Sequence, residues 1–156
     1  MSSNPQKLNR RRRARELAMR ALYAHEMSGN PIESVIKEMI QGNADEHERV
    51  LAFAATLVHA CVENQAEIEK LIIEQAHNWD FDRIAVLDRL IMRMGICEFL
   101  YFEDIPPKVS IDEAIEISKK YSTEKSGTFI NGILDGVLLH LRRDKRLTKS
   151  GRGLHE

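Results

Sequence analysis

The sequence predicts an all-α protein, and three observations support this fold class. The longer apolar runs follow the 3.6-residue period of a helix, and no segment shows the alternation of a half-buried strand. Hydrophobic residues make up 43% and charged residues 30% of the 156 residues, which is enough for a core and a polar surface. We therefore expect six to seven helices in two packed helical halves.

Glycine and proline bound the first two predicted helices. The first should begin at Leu8 and end in the Ser-Gly-Asn-Pro sequence of residues 28–31, because residues 17–22 form one apolar stripe. Pro31 is suited to open a second helix, and Gly42 is suited to cap its C-terminal end. These signals place a helical pair at the start of the chain.

Two short sequences resemble capping boxes, in which a polar residue and a Glu three positions later satisfy the first backbone N–H groups of a helix. Asn43 and Glu46 would begin a long third helix that extends to about residue 76. Ser110 and Glu113 would begin a shorter helix in the second half of the chain. Both motifs therefore predict where a helix begins.

The helical period breaks at residues 77–81, His-Asn-Trp-Asp-Phe, and then resumes in a fourth helix. We place the junction between the two halves there, so that one domain of residues 8–140 has halves of about 8–78 and 79–146. Trp79 and Phe81 are interpreted as core anchors, with a ligand platform as the alternative.

A final helix should extend from about Lys125 to Asp144. Gly132 and Gly136 lie four residues apart on it and would let a neighbouring helix approach closely, despite their low helix propensity. Residues 1–7 and 147–156 show no such pattern and are expected to be disordered.

The net charge of -1 conceals an uneven distribution along the chain. Residues 1–23 contain seven basic residues and one acidic residue, whereas residues 24–82 contain twelve acidic and three basic ones. The remaining residues are nearly balanced, with thirteen basic and eleven acidic. A basic end and an acidic middle indicate two kinds of partner, a polyanion and a basic protein.

The strongest candidate binding feature is the arginine run of residues 10–13 together with Arg15. The planar guanidinium group binds phosphate through two hydrogen bonds and stacks on bases, which suits single-stranded RNA. Arginines at the start of a helix also oppose its dipole, at a cost of about 0.3 to 1 kcal/mol that an anion would offset. The alternative is a solvated basic tail, but the run continues into a helix that carries Tyr23.

No pattern in the sequence indicates catalysis, a cofactor or a metal. The six histidines lack the spacing of metal ligands, and no nucleophile or oxyanion-stabilising group accompanies Glu113 and Glu116. Neither GxGxxG nor GxxxxGK[ST] occurs. Cys61 and Cys97 stand singly, and no apolar run approaches the roughly 20 residues of a membrane span. We therefore expect a cytoplasmic protein that is not an enzyme.

Three stretches in this order resemble the family of the bacterial transcription antitermination factor NusB. They are RRRARE (residues 11–16) followed by ALY (21–23), LDRLIMR (87–93) followed by Glu98, and IPPKVSIDEA (105–114) followed by FINGILD (129–135). The resemblance extends over about residues 8–140.

The resemblance implies an all-helical fold without enzymatic activity. Members of this family bind the boxA element of nascent RNA together with NusE, a small-subunit ribosomal protein. The pair joins an RNA polymerase complex that resists termination in ribosomal RNA operons. By resemblance, the RNA-binding residues are Arg10, Arg11, Arg12, Arg13, Arg15, Tyr23, Lys120, Lys125 and Phe129. Asp82 and Asp88 would face NusE. The resemblance leaves undecided whether the chain forms a homodimer when NusE is absent.

Some positions depart from the family pattern. Lys125 stands where an acidic residue is frequent and would add a phosphate contact, whereas Asp88 stands where Glu is usual and would weaken the partner contact. Asn131 and Asp135 are interpreted as links between helices rather than as RNA contacts.

The sequence is also compatible with two other functions. A similar helical domain precedes RNA cytosine methyltransferases, so the chain could assist a separate catalytic subunit. It could also be a protein-interaction scaffold whose arginines only keep it soluble, in which case RNA binding would be absent or independent of salt.

Overall fold

The computed structural model describes residues 5–77 and 79–155 and confirms the all-α fold class. These residues contain seven α-helices and no β-strand. The helices are α1 (Pro5–Ser28), α2 (Ile32–Val35), α3 (Glu48–Glu63), α4 (Gln65–Gln75), α5 (Val86–Tyr101), α6 (Pro107–Tyr121) and α7 (Glu124–Arg143). A π-helical segment (Ile36–Gln41) continues α2, and 3₁₀ turns are formed by Phe81–Arg83 and Gly151–Leu154.

The described residues up to Val62 form one compact unit, in which α1 packs against α2 and its π-helical continuation. The apolar stripe of α1 is buried, as are Ile36 and Leu57 from the other elements. The backbone N–H of Gly42 donates to the carbonyl oxygen of Lys37, five residues earlier, at 2.9 Å. Gly42 therefore ends the π-helical segment, which confirms it as a C-terminal cap.

The described residues from Glu63 onward form the second unit, and α5 is its central helix. Every residue from Leu90 to Phe99 is buried, and α5 packs against α4, α6 and α7. A helix that is buried around its whole circumference needs neighbours on all sides, which explains this arrangement.

The boundary between the units lies between Val62 and Glu63 rather than near residue 78. The helix expected from residue 43 to 76 is interrupted at Asn64, whose φ of -114° and ψ of 21° depart from helical values. The next segment, α4, packs against α5 and α7 and so belongs to the second unit. Apolar spacing continues across the interruption because α4 also buries one face, at Ile68 and Leu71.

Neither predicted capping box begins a helix where expected. The first described helix after Asn43 is α3, which begins at Glu48, while α6 begins at Pro107, before Ser110. Proline is well suited to the first position of a helix, where its missing N–H group would have no helical partner. The side chain of Glu46 instead accepts a hydrogen bond from Arg13, and that of Ser110 donates one to Glu98.

The tail beyond residue 146, expected to be disordered, contacts the end of α5. The Lys149 ammonium group donates to the carbonyl oxygens of Glu98 (2.9 Å) and Phe102 (2.8 Å), which lie among the last carbonyls of that helix. Burial lowers the pKa of Lys149. At the other end of the chain α1 begins at Pro5, earlier than predicted, and residues 1–4 of the expected disordered segment lie outside the described residues.

Candidate nucleic-acid interface

The arginine run lies in the first half of α1, and its side chains have different surroundings. Residues 10–13 are half-buried, whereas Arg15 is buried, with 2% of its surface exposed. Successive residues of an α-helix are rotated by about 100°, so a continuous run cannot face one surface. Only part of the arginine run is therefore accessible to a ligand.

Phe53 of α3 lies beneath two of these arginines. The guanidinium carbons of Arg11 and Arg15 lie 4.7 Å and 5.6 Å from the centroid of its ring, which is cation–π geometry. The sequence does not distinguish Phe53 as a functional residue, because it occurs in an apolar helical run that is typical of a core. The contact therefore places the buried Arg15 side chain between α1 and Phe53 of α3, and its role in RNA binding stays a prediction.

Glu46 is a second intramolecular partner of the run. Arg13 donates to its carboxylate from Nε at 3.3 Å and from Nη2 at 3.1 Å. The pKa of Glu46 is lowered, chiefly by the hydrogen bond from Arg13 and to a smaller extent by the hydrogen bond from the backbone N–H of His47. A carboxylate held by two guanidinium N–H groups occupies the geometry in which arginine binds phosphate. A phosphate would therefore compete with Glu46 for Arg13.

Tyr23 lies further along α1 and is 41% exposed. It is separated from Arg10 by 13 residues, which corresponds to about 20 Å of helix. The candidate residues of α1 therefore extend over a length that suits an elongated ligand.

In the second unit, Lys125 and Phe129 of α7 line a cleft of ≈ 480 Å³ with Trp79, Arg83 and Asp88. Trp79 packs edge to face against Phe129, with ring centroids 5.3 Å apart and an interplanar angle of 65°. Its side chain is nevertheless 61% exposed. The prediction that Trp79 is a core anchor is therefore wrong, and its alternative role as a ligand platform gains support.

Phe81, the other predicted core anchor, is half-buried. The guanidinium carbon of Arg89 lies 5.2 Å from the centroid of its ring. Phe81 therefore packs at the edge of the unit rather than in the centre of its core.

Asp88 is buried, with 6% of its surface exposed. Its carboxylate accepts hydrogen bonds from the hydroxyl groups of Ser122 (3.1 Å) and Ser126 (2.9 Å). These bonds join the first turn of α5 to the end of α6 and the start of α7. The carboxylate of Asp88 is therefore used within the fold, and its role toward a partner stays a prediction.

The remaining predicted residues are exposed. The backbone N–H of Asp82 donates to the side chain of Asp80 at 3.1 Å, and its own carboxylate lies at the surface. The Lys120 ammonium nitrogen lies 5.5 Å from the centroid of the Tyr121 ring, at the end of α6. Both side chains are accessible to a ligand or partner.

Metal sites and membrane-spanning helices are both absent from the described part of the chain. Within residues 5–77 and 79–155, no three histidine, cysteine, aspartate or glutamate side chains are grouped so that they could hold a metal ion. The helices in these ranges also lack the combination of length and apolar character that crossing a membrane requires.

The fold and the accessible arginines define a class of all-helical protein with a basic N-terminal helix. The family model for the NusB family matches residues 12–138. The transcription antitermination protein NusB of Salinibacter ruber is 44% identical over 147 residues, which cover 94% of this chain and 92% of that protein. The chain belongs to the NusB family. This confirms the resemblance found in the sequence and makes the protein a transcription antitermination factor rather than an enzyme.

Solved structures agree with this assignment. T. maritima NusB is 35% identical, with a TM-score of 0.76, and the match covers 88% of this chain and 92% of that chain. A crystal structure of antitermination factors NusB and NusE in complex with dsRNA has a chain that is 25% identical, with a TM-score of 0.76. That match covers 85% of this chain and 98% of the other.

Proposed function

We propose that this protein binds the boxA element of nascent RNA together with NusE, as part of an RNA polymerase complex that supports transcription of ribosomal RNA operons. The observation that carries the proposal is the row of accessible arginines on α1 in a chain of the NusB family. The similar solved structure of NusB and NusE with dsRNA supports both the ligand class and the partner.

On α1 the proposed RNA contacts are Arg10, Arg11, Arg12, Arg13 and Tyr23, all of which retain accessible surface. Guanidinium groups would bind phosphates, and the Tyr23 ring would stack on a base. Arg15 stays a predicted contact, although its side chain is buried. In the second unit the proposed contacts are Lys120, Lys125 and Phe129.

The proposed surface for NusE includes Asp82, an exposed carboxylate at the end of the acidic stretch of residues 24–82. An acidic surface favours a basic partner through complementary charge, mainly by increasing the association rate. Asp88 would contribute to this surface only indirectly, because its hydrogen bonds hold α5, α6 and α7 together.

The experiment that tests the proposal is fluorescence anisotropy of a labelled boxA RNA and a scrambled RNA, with and without NusE, over a series of salt concentrations. We expect tighter binding to boxA, and a further increase in affinity when NusE is present. Equal binding to both RNAs under all conditions would contradict the proposal and leave a nonspecific basic protein. Absent or salt-independent binding would instead favour an interaction scaffold, and light scattering without NusE would show whether the free chain is a homodimer.

A further inference from the structure

We propose that the cleft between Trp79 and Phe129 binds one unstacked RNA base together with a neighbouring phosphate. This inference rests on the proposed RNA-binding function and gives Trp79 a role in it. The Trp79 cleft is defined here by Trp79, Arg83, Asp88, Lys125 and Phe129.

The aromatic pair is suited to stacking on a base. Trp79 is the most exposed aromatic side chain among the described residues, yet its edge-to-face contact with Phe129 fixes its orientation. An aromatic ring that is already oriented loses little conformational entropy when a ligand stacks on it. Stacking on Trp or Phe is also tolerant of base identity, because every base has a π-face.

The charged groups of the cleft favour a polyanion. Lys125 and Arg83 are both exposed, and both line the cleft. The carboxylate of Asp88 is bonded to two serine hydroxyls, so it accepts hydrogen bonds within the fold. Two cations beside an aromatic surface suit a nucleotide, and they disfavour a basic protein as the occupant.

The size of the cleft and the supporting contacts fit a small, oriented ligand. A volume of ≈ 480 Å³ lies in the range of small-molecule sites, which is too small for a helix but sufficient for one base with its phosphate. The hydroxyl of Ser126 bonds to Asp88, and its backbone N–H donates to Thr123 Oγ1, the N-cap of α7, at 3.2 Å. Asp88 therefore acts as a positioning residue for the turn of α7 that carries Lys125.

The test uses the intrinsic fluorescence of Trp79, which is the single tryptophan of the chain. A labelled boxA RNA is added to the full-length protein with NusE devoid of tryptophan, and tryptophan emission is recorded beside anisotropy. We expect emission to be quenched over the same RNA concentrations that raise the anisotropy. A set of RNAs with one abasic site each should lose the quenching at one position of the strand.

Variants distinguish stacking of a base on Trp79 from the effect of removing any exposed apolar side chain. Trp79→Ala should weaken RNA binding by about tenfold, within the range typical of base–aromatic stacking, and Trp79→Phe should restore most of it. Leu139→Ala is the matched control, because Leu139 is 54% exposed on α7 and does not line the cleft. It should leave RNA affinity unchanged.

Each other outcome overturns the inference in a recognisable way. If RNA binds with unchanged tryptophan emission, and Trp79→Ala binds as tightly as Leu139→Ala, the cleft has no role while the proposed function stands. If Trp79→Ala weakens binding of NusE alone and not of RNA, the cleft is a protein-docking site. If the wild-type chain binds no RNA, both the inference and the proposed function are wrong.

Discussion

At the scale of single residues, two buried polar side chains of α5 are hydrogen-bonded to side chains of the neighbouring helices. Arg93 donates to the Glu69 carboxylate of α4 at 2.7 Å, and Glu98 accepts from the Ser110 hydroxyl of α6 at 2.7 Å. A polar group that loses its water on folding is costly unless it finds a hydrogen-bonding partner. These bonds therefore favour one way of packing α4 and α6 against α5.

Removing the Ser110 hydroxyl should destabilise the protein measurably. Ser110→Ala deletes a hydrogen bond to the buried Glu98 carboxyl group, and we expect a loss of about 1 to 3 kcal/mol in the free energy of unfolding. Urea unfolding followed by circular dichroism measures this loss, with Ser34→Ala at an exposed position as the control. Equal stabilities for the two variants would show that the Ser110 bond contributes nothing.

Acidification should weaken the contact between Arg13 and Glu46. The pKa of Glu46 in the folded protein is lowered from 4.5, chiefly by its hydrogen bond with Arg13. The stabilisation is therefore fully present above about pH 4.5. It is lost as the pH falls through the lowered pKa that Glu46 has in the folded protein. Because both side chains retain solvent contact, the contribution should stay below about 1 kcal/mol.

The Glu46 effect is isolated by comparing variants at two pH values. Urea unfolding at about pH 7 and about pH 3.5 should show a smaller acid-induced loss of stability for Glu46→Gln than for the wild type. Glu48→Gln, which changes an exposed neighbouring carboxylate, should behave like the wild type. A Glu46→Gln variant with the full wild-type loss would contradict this origin of the pH dependence.

At the scale of helices, the sequence predicts well where an element ends at a strong local signal. The end of α1 at Ser28 and the cap at Gly42 follow from turn residues that act on their own segment. The capping-box predictions are wrong because Glu46 and Ser110 find better partners in Arg13 and Glu98, which lie more than ten residues away.

The candidate site shows the same division between local and distant causes. The arginine run and Phe129 are visible as motifs in the sequence. The position of Phe53 beneath Arg11 is set by the packing of α1 on α3, which no short pattern encodes. The contact of Trp79 with Phe129, a ring 50 residues later in the chain, is likewise set by packing between distant segments.

The two glycines of α7 should respond differently to substitution by alanine. A Cβ atom at Gly132 would meet nothing within 4 Å, whereas one at Gly136 would overlap the side-chain amide of Gln75. Gly132→Ala should therefore raise the free energy of unfolding by about 0.5 to 1 kcal/mol, because alanine has the higher helix propensity. Gly136→Ala should gain less, since Gln75 must move. Chemical denaturation measures both, and a destabilised Gly132→Ala variant would contradict this account.

At the scale of the whole molecule, the net charge of -1 gives little indication of a polyanionic ligand. Screening limits the reach of exposed charges to about 8 Å at physiological ionic strength, so a bound RNA responds to the charges near it. Seven basic residues against one acidic residue at positions 1–23 therefore matter more for RNA binding than the average over the chain.

The concentration of basic residues on α1 predicts how salt should affect RNA binding. Each phosphate contact on a single strand contributes about -0.7 to the slope of log affinity against log salt concentration. Arg10→Ala with Arg12→Ala should therefore make the slope shallower by about 1.4. This double variant keeps Arg11, which contacts the Phe53 ring, and Arg13, which donates a hydrogen bond to Glu46. Anisotropy titrations with boxA RNA at several salt concentrations give the slope.

The control for the salt experiment removes the same charge elsewhere. Arg49→Ala with Arg143→Ala changes two exposed arginines outside α1 and should leave the slope as in the wild type. If the two double variants flatten the slope equally, net charge governs the affinity and α1 is not the RNA-binding surface. A flatter slope for the α1 variant alone would place the phosphate contacts on that helix, because counterion release depends on the contacts made and not on the total charge.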